Sequence, residues 1–384
     1  MSEDKTAAEP PEPAEDAQRA AAPTEASRGF WSQAWRRFRR RKLAMLALAY
    51  IIVLSLIALL APAIVGTEPL ICKYKGKIYF PAFKKYGIFK KDRFRSVYPI
   101  KLEEKDSQSW AVWPLIYQSY RRRVRDGEWG DTEENKVWGW EFRRPVTRNL
   151  ARELGKPNSQ NLLGTTTSGY DVLAIMIYGT RTALLVGFVS MGIASLIGIT
   201  VGASAGYFGG WVDMAISRVI EVVMCVPQLV LIIALLAVVE KATIWHVMII
   251  LGMTGWTSIA RLTRAEFLKL RESDFVTAAR AIGVGRTAII FRHILRNSLA
   301  PILVPIAFGV ASAILVESGL SFLGFGPPPP SPSWGMLLQE GQRDLTMWWL
   351  MVFPGLAVFL TVLAYNLIGE GLQDATDPRM KEDL

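Results

Sequence analysis

Long apolar runs separated by charged connections, one of them long, dominate the 384-residue chain, at about 43–65, 180–207, 212–239, 244–262, 299–320 and 348–368. About 20 apolar residues let a helix cross hydrocarbon. A helix also satisfies every backbone group within its own segment, so the runs are read as helices. The pattern predicts an all-α membrane protein with six transmembrane helices and both termini on one side. Ala194, Gly198, Gly202 and Gly206 recur every four residues, which puts small side chains on one face of the second span for close helix packing. Pro227 is expected to kink the third span, where Arg218 and Glu221 are spaced to pair. Pro301 and Pro305 stand near the start of the fifth span. Glu317 and Ser318 stand near its outer end, before a loop stiffened by four consecutive prolines.

The polar segments divide the chain. Residues 1–28 are rich in Ala, Glu, Pro and Asp and are expected to be a disordered cytoplasmic tail. They lack the basic-then-apolar opening of a cleavable signal. Residues 29–65 join an interfacial segment, WSQAWRRFRRRK, to the first span. Trp31, Trp35 and Phe38 are expected at headgroup depth, with the arginines in the cytoplasm. Residues 66–171 form an extracytoplasmic insert, soluble and partly stranded by expectation. Residues 172–370 hold the other five spans, and 371–384 form a cytoplasmic tail. The insert carries many cations, but the rule that places basic loops inside counts only short loops.

Composition then removes whole classes of function. The chain is 51% hydrophobic with a net charge of +10, and the cations flank spans or fill the insert, so membrane topology accounts for much of the excess and no nucleic-acid partner is expected. Cys72 and Cys225 fall in the insert and in a span, and no disulfide is expected between them. No GxxxxGK[ST] phosphate loop and no HExxH occurs, and His246 and His293 sit at opposite membrane sides. The chain is therefore expected to be no enzyme, with no catalytic, cofactor-binding or metal-binding residues of its own. An ion-driven secondary transporter would show inverted repeats and mid-span charges, and neither is evident.

The connection at about 264–298 differs from a simple topology signal. It contains SDFVTAARAIGVGRTAIIFRHILRNSLAP at 273–301 and is rich in Arg and Lys. Asp274 is expected to cap a helix reaching about Ile282, which Gly283 ends in the left-handed region. Gly285 is expected to keep the turn compact before a second helix over 286–295. Ala278, Ala279 and Ala281 would leave a low-relief face suited to a partner's groove.

The segment TAARAIG at 277–283 resembles the EAAxxxG loop of ABC importer membrane subunits. LGTTTSGYDVLAIMIYGTRTALLVG (163–187), AGYFGGWVD (205–213), ESGLSFLGFG (317–326), PSWGMLL (332–338) and FPGLAVFLTVLAYNLIGEGLQDATDPR (353–379) resemble the dipeptide and oligopeptide permease family of these importers. The likeness covers about 160–380 and the first span. It implies a type I importer (MetI-like) permease fold in the inner membrane and import of di- or oligopeptides. The implied partners are a second homologous permease, two ATPase subunits that bind ATP and Mg, an extracytoplasmic solute-binding protein and membrane lipid. It also implies that Asp274, Thr277, Ala278, Ala279, Arg280, Gly283, Gly285, Arg286 and Arg292 form the ATPase-coupling loop. For Glu317 and Ser318, a place on the translocation path and a bond to a neighbouring helix both stay open. Importers of nickel chelates, glutathione and peptide antibiotics share the motifs. Thr277 stands where the family has Glu, Tyr170 where it has Arg, and Thr166 where it has Asp. PLICKYKGKIYFP and WPLIYQSY, in the long insert, resemble the microcin C and murein-peptide branch.

Overall fold

A computed structural model of the chain describes residues 30–74, 77–83, 110–116, 118–121, 136–137, 140–141, 161–240, 242–328 and 331–376. The expected tail at 1–28, much of the insert and the end of the C-terminal tail lie outside those residues. The helices are α1 (Phe30–Arg40), α2 (Lys42–Ile64), α3 (Val172–Phe208), α4 (Gly210–Cys225), α5 (Gln228–Ala237), α6 (Ile244–Arg271), α7 (Asp274–Ala281), α8 (Arg286–Ala288), α9 (Leu295–Phe322), α10 (Trp334–Arg343) and α11 (Trp349–Thr376). A π-helical segment, Ile289–Ile294, joins α8 to α9 without a break.

Among the described residues, four helices are long and apolar enough to cross a membrane: α2, α3, the run from Arg286 through α9, and α11. The count rises to five if the bent pair α4 and α5 is one span. The expected kink at Pro227 is an 81° bend that splits the helix in two. Proline lacks the N–H and clashes with the preceding turn, so the chain breaks there. α6, the fourth expected span, has the length, but its second half carries Arg261, Arg264, Glu266, Lys269 and Arg271.

The core is built on close approach of α3 and α6. A Cβ placed on Gly198 would meet Ile259 Cβ and the Trp256 carbonyl oxygen at 2.8 Å. On Gly202 it would overlap the Ala260 carbonyl, and on Gly206 it would meet Phe267 Cβ at 2.5 Å. From the other side, Gly252 of α6 leaves no room over Ile193 and Ser190 of α3. Lipid tails are as apolar as leucine, so association rests on van der Waals packing at this distance. The outer helices follow the same logic. α2 buries the stripe Ala44, Ala47, Ile51, Leu54, Ala58 and Ala61 and leaves Leu43, Leu46, Ile52, Leu56 and Leu59 exposed.

The described part of the insert holds β1 (Ile71–Tyr74), β2 (Lys77–Tyr79) and β3 (Trp110–Val112) in an antiparallel sheet of order β2-β1-β3. A separate pair joins β4 (Lys136–Val137) to β5 (Trp140–Glu141). The first sheet is fastened to the helices. Ile116 N donates to Ile64 O at 2.8 Å, and the Tyr178 hydroxyl donates to Val65 O at 3.3 Å. Tyr120 lies on Tyr178, ring centroids 4.3 Å apart.

α1 departs from the expected interfacial segment in one respect. Trp35 is exposed, but Phe38 is buried with Ala34 and Ala44 against Ala375 of α11. Apolar area next to a glycine wins over headgroup placement, because Gly371 leaves a gap that the Phe38 ring fills.

Two predictions test this packing. Gly202→Ala should lower the thermal midpoint of the detergent-solubilised protein, a loss of about 1–3 kcal/mol from overpacking. Gly192→Ala meets no atom within 4 Å and should leave the midpoint unchanged or slightly raised, alanine being the better helix former. Equal midpoints for the two variants would reject close α3–α6 contact. The Arg264–Asp213 ion pair joins α6 to the first turn of α4, with Nη2 to Oδ2 at 2.7 Å. A double-mutant cycle with Arg264→Gln and Asp213→Asn should give a coupling of about 1–2 kcal/mol, and strict additivity would show the pair to be idle.

Candidate functional site

The candidate site is the knuckle between α6 and α9. Helix α7 is N-capped at Ser273, not at Asp274 as expected. Ser273 is the N-cap residue, and its hydroxyl turns back to donate to the Leu270 carbonyl. Asp274 falls one place inside the helix, where a carboxylate still favours the positive end of the helix dipole. Val276 and Ala279 face inward and pack with Phe267, Ile289, Ile294 and Ala203. Ala279 therefore leaves the low-relief face on which it was expected, because its position three residues after Val276 puts both on the buried stripe. Ala278 and Ala281 remain exposed.

The turn ends as its glycine requires. Gly283 has φ +78°, and Val284 N donates to Ala279 O at 3.0 Å. Only glycine takes this region without the Cβ penalty. Gly285 does not have the same role. Its φ is −62°, and a Cβ there would meet nothing within 4 Å, so any small residue fits. The second helix expected over 286–295 is not a separate capped unit. One α-turn passes into the π segment and on through α9, giving a continuous helix over Arg286–Phe322. The knuckle is thus one short helix folded back on the root of a long one.

The arginines divide into two sets. Arg264 is bound to Asp213 through both Nε and Nη2. Arg271 Nη1 donates to the Gly206 and Tyr207 carbonyls at 3.4 Å, and its Nε donates to Glu272 at 2.8 Å. Those carbonyls are at the end of α3, where helix termini leave acceptors unpaired. Arg280 donates to the Arg271 carbonyl at 3.5 Å and lies 6.0 Å from the Tyr207 ring centroid. Arg271 and Arg280 tie the approach to the knuckle to α3 and α6, and Arg264 ties α6 to α4. Arg286 and Arg292 are exposed. The Thr277 hydroxyl donates to the Ser273 carbonyl at 3.3 Å, so the residue standing in the family's Glu position is satisfied locally.

The outer face of the knuckle carries large apolar residues that the motif did not reveal. Phe275 is 40% exposed, Phe291 63% and Ile282 81%. Ala278, Ala281, Arg286 and Arg292 of the same element are exposed as well. The sequence does not single out these three, because the same connection also holds Phe267, Val276, Ile289, Ile290 and Ile294.

Glu317 and Ser318 lie toward the other end of α9, away from the knuckle. Both are buried, and the Glu317 carboxylate accepts from the hydroxyls of Ser321 at 2.9 Å, Ser333 at 2.8 Å and Ser318 at 3.5 Å. Ser333 is the N-cap of α10, whose Trp334 stacks over Gly179 and donates to the Met176 carbonyl at 3.1 Å. Trp349 donates to the Thr165 carbonyl at 2.9 Å. Nearby, Asp171 caps α3 by accepting from Ala174 N at 2.7 Å. Burial pushes its carboxyl up to about 7 against the lowering effect of the Ala174 and Leu173 amides. Thr166 and Tyr170 close the tight turn before it, with Thr166 N donating to Tyr170 O at 2.8 Å. Among the described residues no three His, Cys, Asp or Glu side chains are grouped to hold a metal.

Residues 198–382 match the family model described as binding-protein-dependent transport system inner membrane component, and 29–75 match the N-terminal TM domain of oligopeptide transport permease C. The inner membrane ABC transporter permease protein YejE of Escherichia coli (strain K12) is 34% identical over 353 residues, covering 90% of this chain and 96% of that protein. The peptidoglycan transport system permease protein YejE of Agrobacterium fabrum is 31% identical over 90% of this chain and 92% of its own length. The dipeptide transport system permease protein DppC of Alkalihalophilus pseudofirmus is 38% identical over 61% of this chain and 77% of its own length. Since similarity at this level runs almost from end to end, the chain belongs to the family of binding-protein-dependent transport system inner membrane components.

Proposed function

We propose that this chain is the membrane-spanning subunit of an ATP-driven importer of peptides, and that the knuckle is where ATPase motion enters it. The observation that carries the reading is the exposure of Phe275, Ala278, Ile282 and Phe291, together with Arg286 and Arg292, on one element seated on a buried apolar core. Exposed apolar clusters mark protein contacts. Two ATPase subunits hold ATP and Mg, a second permease completes the pore, and a solute-binding protein delivers the peptide. In this arrangement α6 and the bent α4–α5 pair also cross the membrane. That makes six spans, with both termini and the knuckle in the cytoplasm and the 66–171 insert outside.

The second permease and the path belong along α4 and α5. Their side chains are largely exposed, and α4 presents the Arg218–Glu221 ion pair, 2.6 Å long, on an apolar helix. Charges on such a helix belong against protein or a water-filled cavity. Glu317, committed to three hydroxyls, is better suited to joining α9 and α10 than to touching peptide.

The substrate class is narrowed by the insert. Alignments that leave out only a tenth of the chain run through most of residues 66–171, and one of those relatives is named for peptidoglycan transport. The alignment with the dipeptide permease covers 61% of the chain, and that with the glutathione permease GsiD of Pectobacterium atrosepticum covers 59%. Peptides released from peptidoglycan are therefore the favoured cargo, with the insert forming part of the seat for a binding protein that presents them.

Gly283→Pro should reduce uptake by the reconstituted complex more than tenfold while the subunits still copurify, because proline cannot reach a φ of +78°. Normal uptake would refute the knuckle's role. Cysteine at Ala278 should crosslink to an ATPase subunit. Proteoliposomes supplied with the cognate binding protein should import a cell-wall tetrapeptide in preference to glutathione, and removal of the insert should abolish that import. The reverse preference, or import unaffected by the deletion, would overturn the substrate reading while leaving the knuckle intact.

A further inference from the structure

The first helix, α1, presents a second surface that the transport reading does not use. Its buried stripe is Ala34 and Phe38, four residues apart, seated on the end of α11. A Cβ on Gly371 would meet the Phe38 ring at 2.8 Å and Ala44 at 2.6 Å. Arg41, the single residue between α1 and α2, pairs with Asp374 of α11 at 2.8 Å. The helix is thus fixed in rotation by packing on one side and an ion pair at its end.

Fixing that stripe settles what the other faces offer. At 100° per residue, Trp35 lies beside the buried stripe, and Arg39, Arg36 and Arg40 follow it around the far side. Trp35 is 51% exposed, and all three arginines are exposed. Among the described residues none of the three is paired with a carboxylate. The patch adjoins the start of α2, where Leu43 and Leu46 are 64% and 69% exposed on a helix apolar enough to span a bilayer. Three guanidinium groups beside a tryptophan, one residue from an apolar span, match a bilayer surface carrying phosphates. Arginine binds phosphate oxygens bidentately, and tryptophan prefers the headgroup region.

We infer that Trp35, Arg36, Arg39 and Arg40 form a site for anionic phospholipid headgroups. Through Phe38 and Arg41 that site holds the end of α11 at the membrane surface. The occupant is lipid rather than an acidic protein because the patch is continuous with lipid-exposed side chains of the adjoining span.

The full-length chain in nanodiscs of phosphatidylcholine and phosphatidylglycerol tests this, with the lipids retained around the protein counted by native mass spectrometry. The wild type should enrich phosphatidylglycerol several-fold over its share of the bilayer. The triple variant Arg36→Gln, Arg39→Gln, Arg40→Gln should lose that enrichment, at roughly fivefold in affinity per cation removed. The triple lysine variant should keep most of it, and 0.5 M salt should weaken it in the wild type, which gives a readout independent of the glutamine variant's folding. Undiminished enrichment in the glutamine variant that also resists salt would overturn the inference. So would a photocrosslinker at Arg39 that labels an ATPase subunit, or residues 1–28 of this chain, instead of lipid.

Discussion

The backbone contact between α3 and α6 is the constraint on which the rest of the molecule depends. Gly198, Gly202 and Gly206 bring the two helices to a distance at which a methyl group would overlap the Trp256, Ala260 and Arg264 carbonyls. That approach seats Phe267 beside Gly206, and Phe267 is the buried ring around which Val276, Ala279, Ile289 and Ile294 collect. The packing of two helices thus sets the position of the knuckle beyond them. Arg271 completes the link by closing the carbonyl end of α3.

In the proposed coupling role the knuckle receives force, and such a surface must not yield locally. The knuckle meets this through a small apolar core of its own, three arginines bound inward and a helical run that continues unbroken into α9. Under that proposal, displacement of α7 would be passed along the continuous helix to α9, since no break separates α8 from α9. The π segment at the junction carries looser hydrogen bonding than an α-helix, and such segments recur at functional sites.

Much of this was legible in the chain. Four of the spans, the glycine repeat, the break at Pro227 and the left-handed Gly283 each follow from one local rule. Errors arose where neighbours decide. Phe38 went inward because of a gap at Gly371, more than 300 positions away in the sequence. Ala279 was buried because the phase of an eight-residue helix is set by what lies beneath it. Gly285 looked like Gly283 in the sequence, but its φ is ordinary. Phe275, Ile282 and Phe291 escaped notice because apolar residues in a membrane protein attract no attention until their surroundings are known to be polar. The extent of α6 was ambiguous since its apolar half and its basic half form one helix.

The end of the molecule opposite the knuckle is welded rather than merely packed. A carboxylate, three serine hydroxyls and two indole N–H groups lock α10, the outer ends of α3 and α9 and the start of α11 to one another. Pulling any of these apart in a low-dielectric setting would strand a buried charge or donor. These elements consequently form one cross-tied unit within the chain, and in the proposed transporter an opening on that side would be framed by the seam with the second permease instead of by a cleft inside this one.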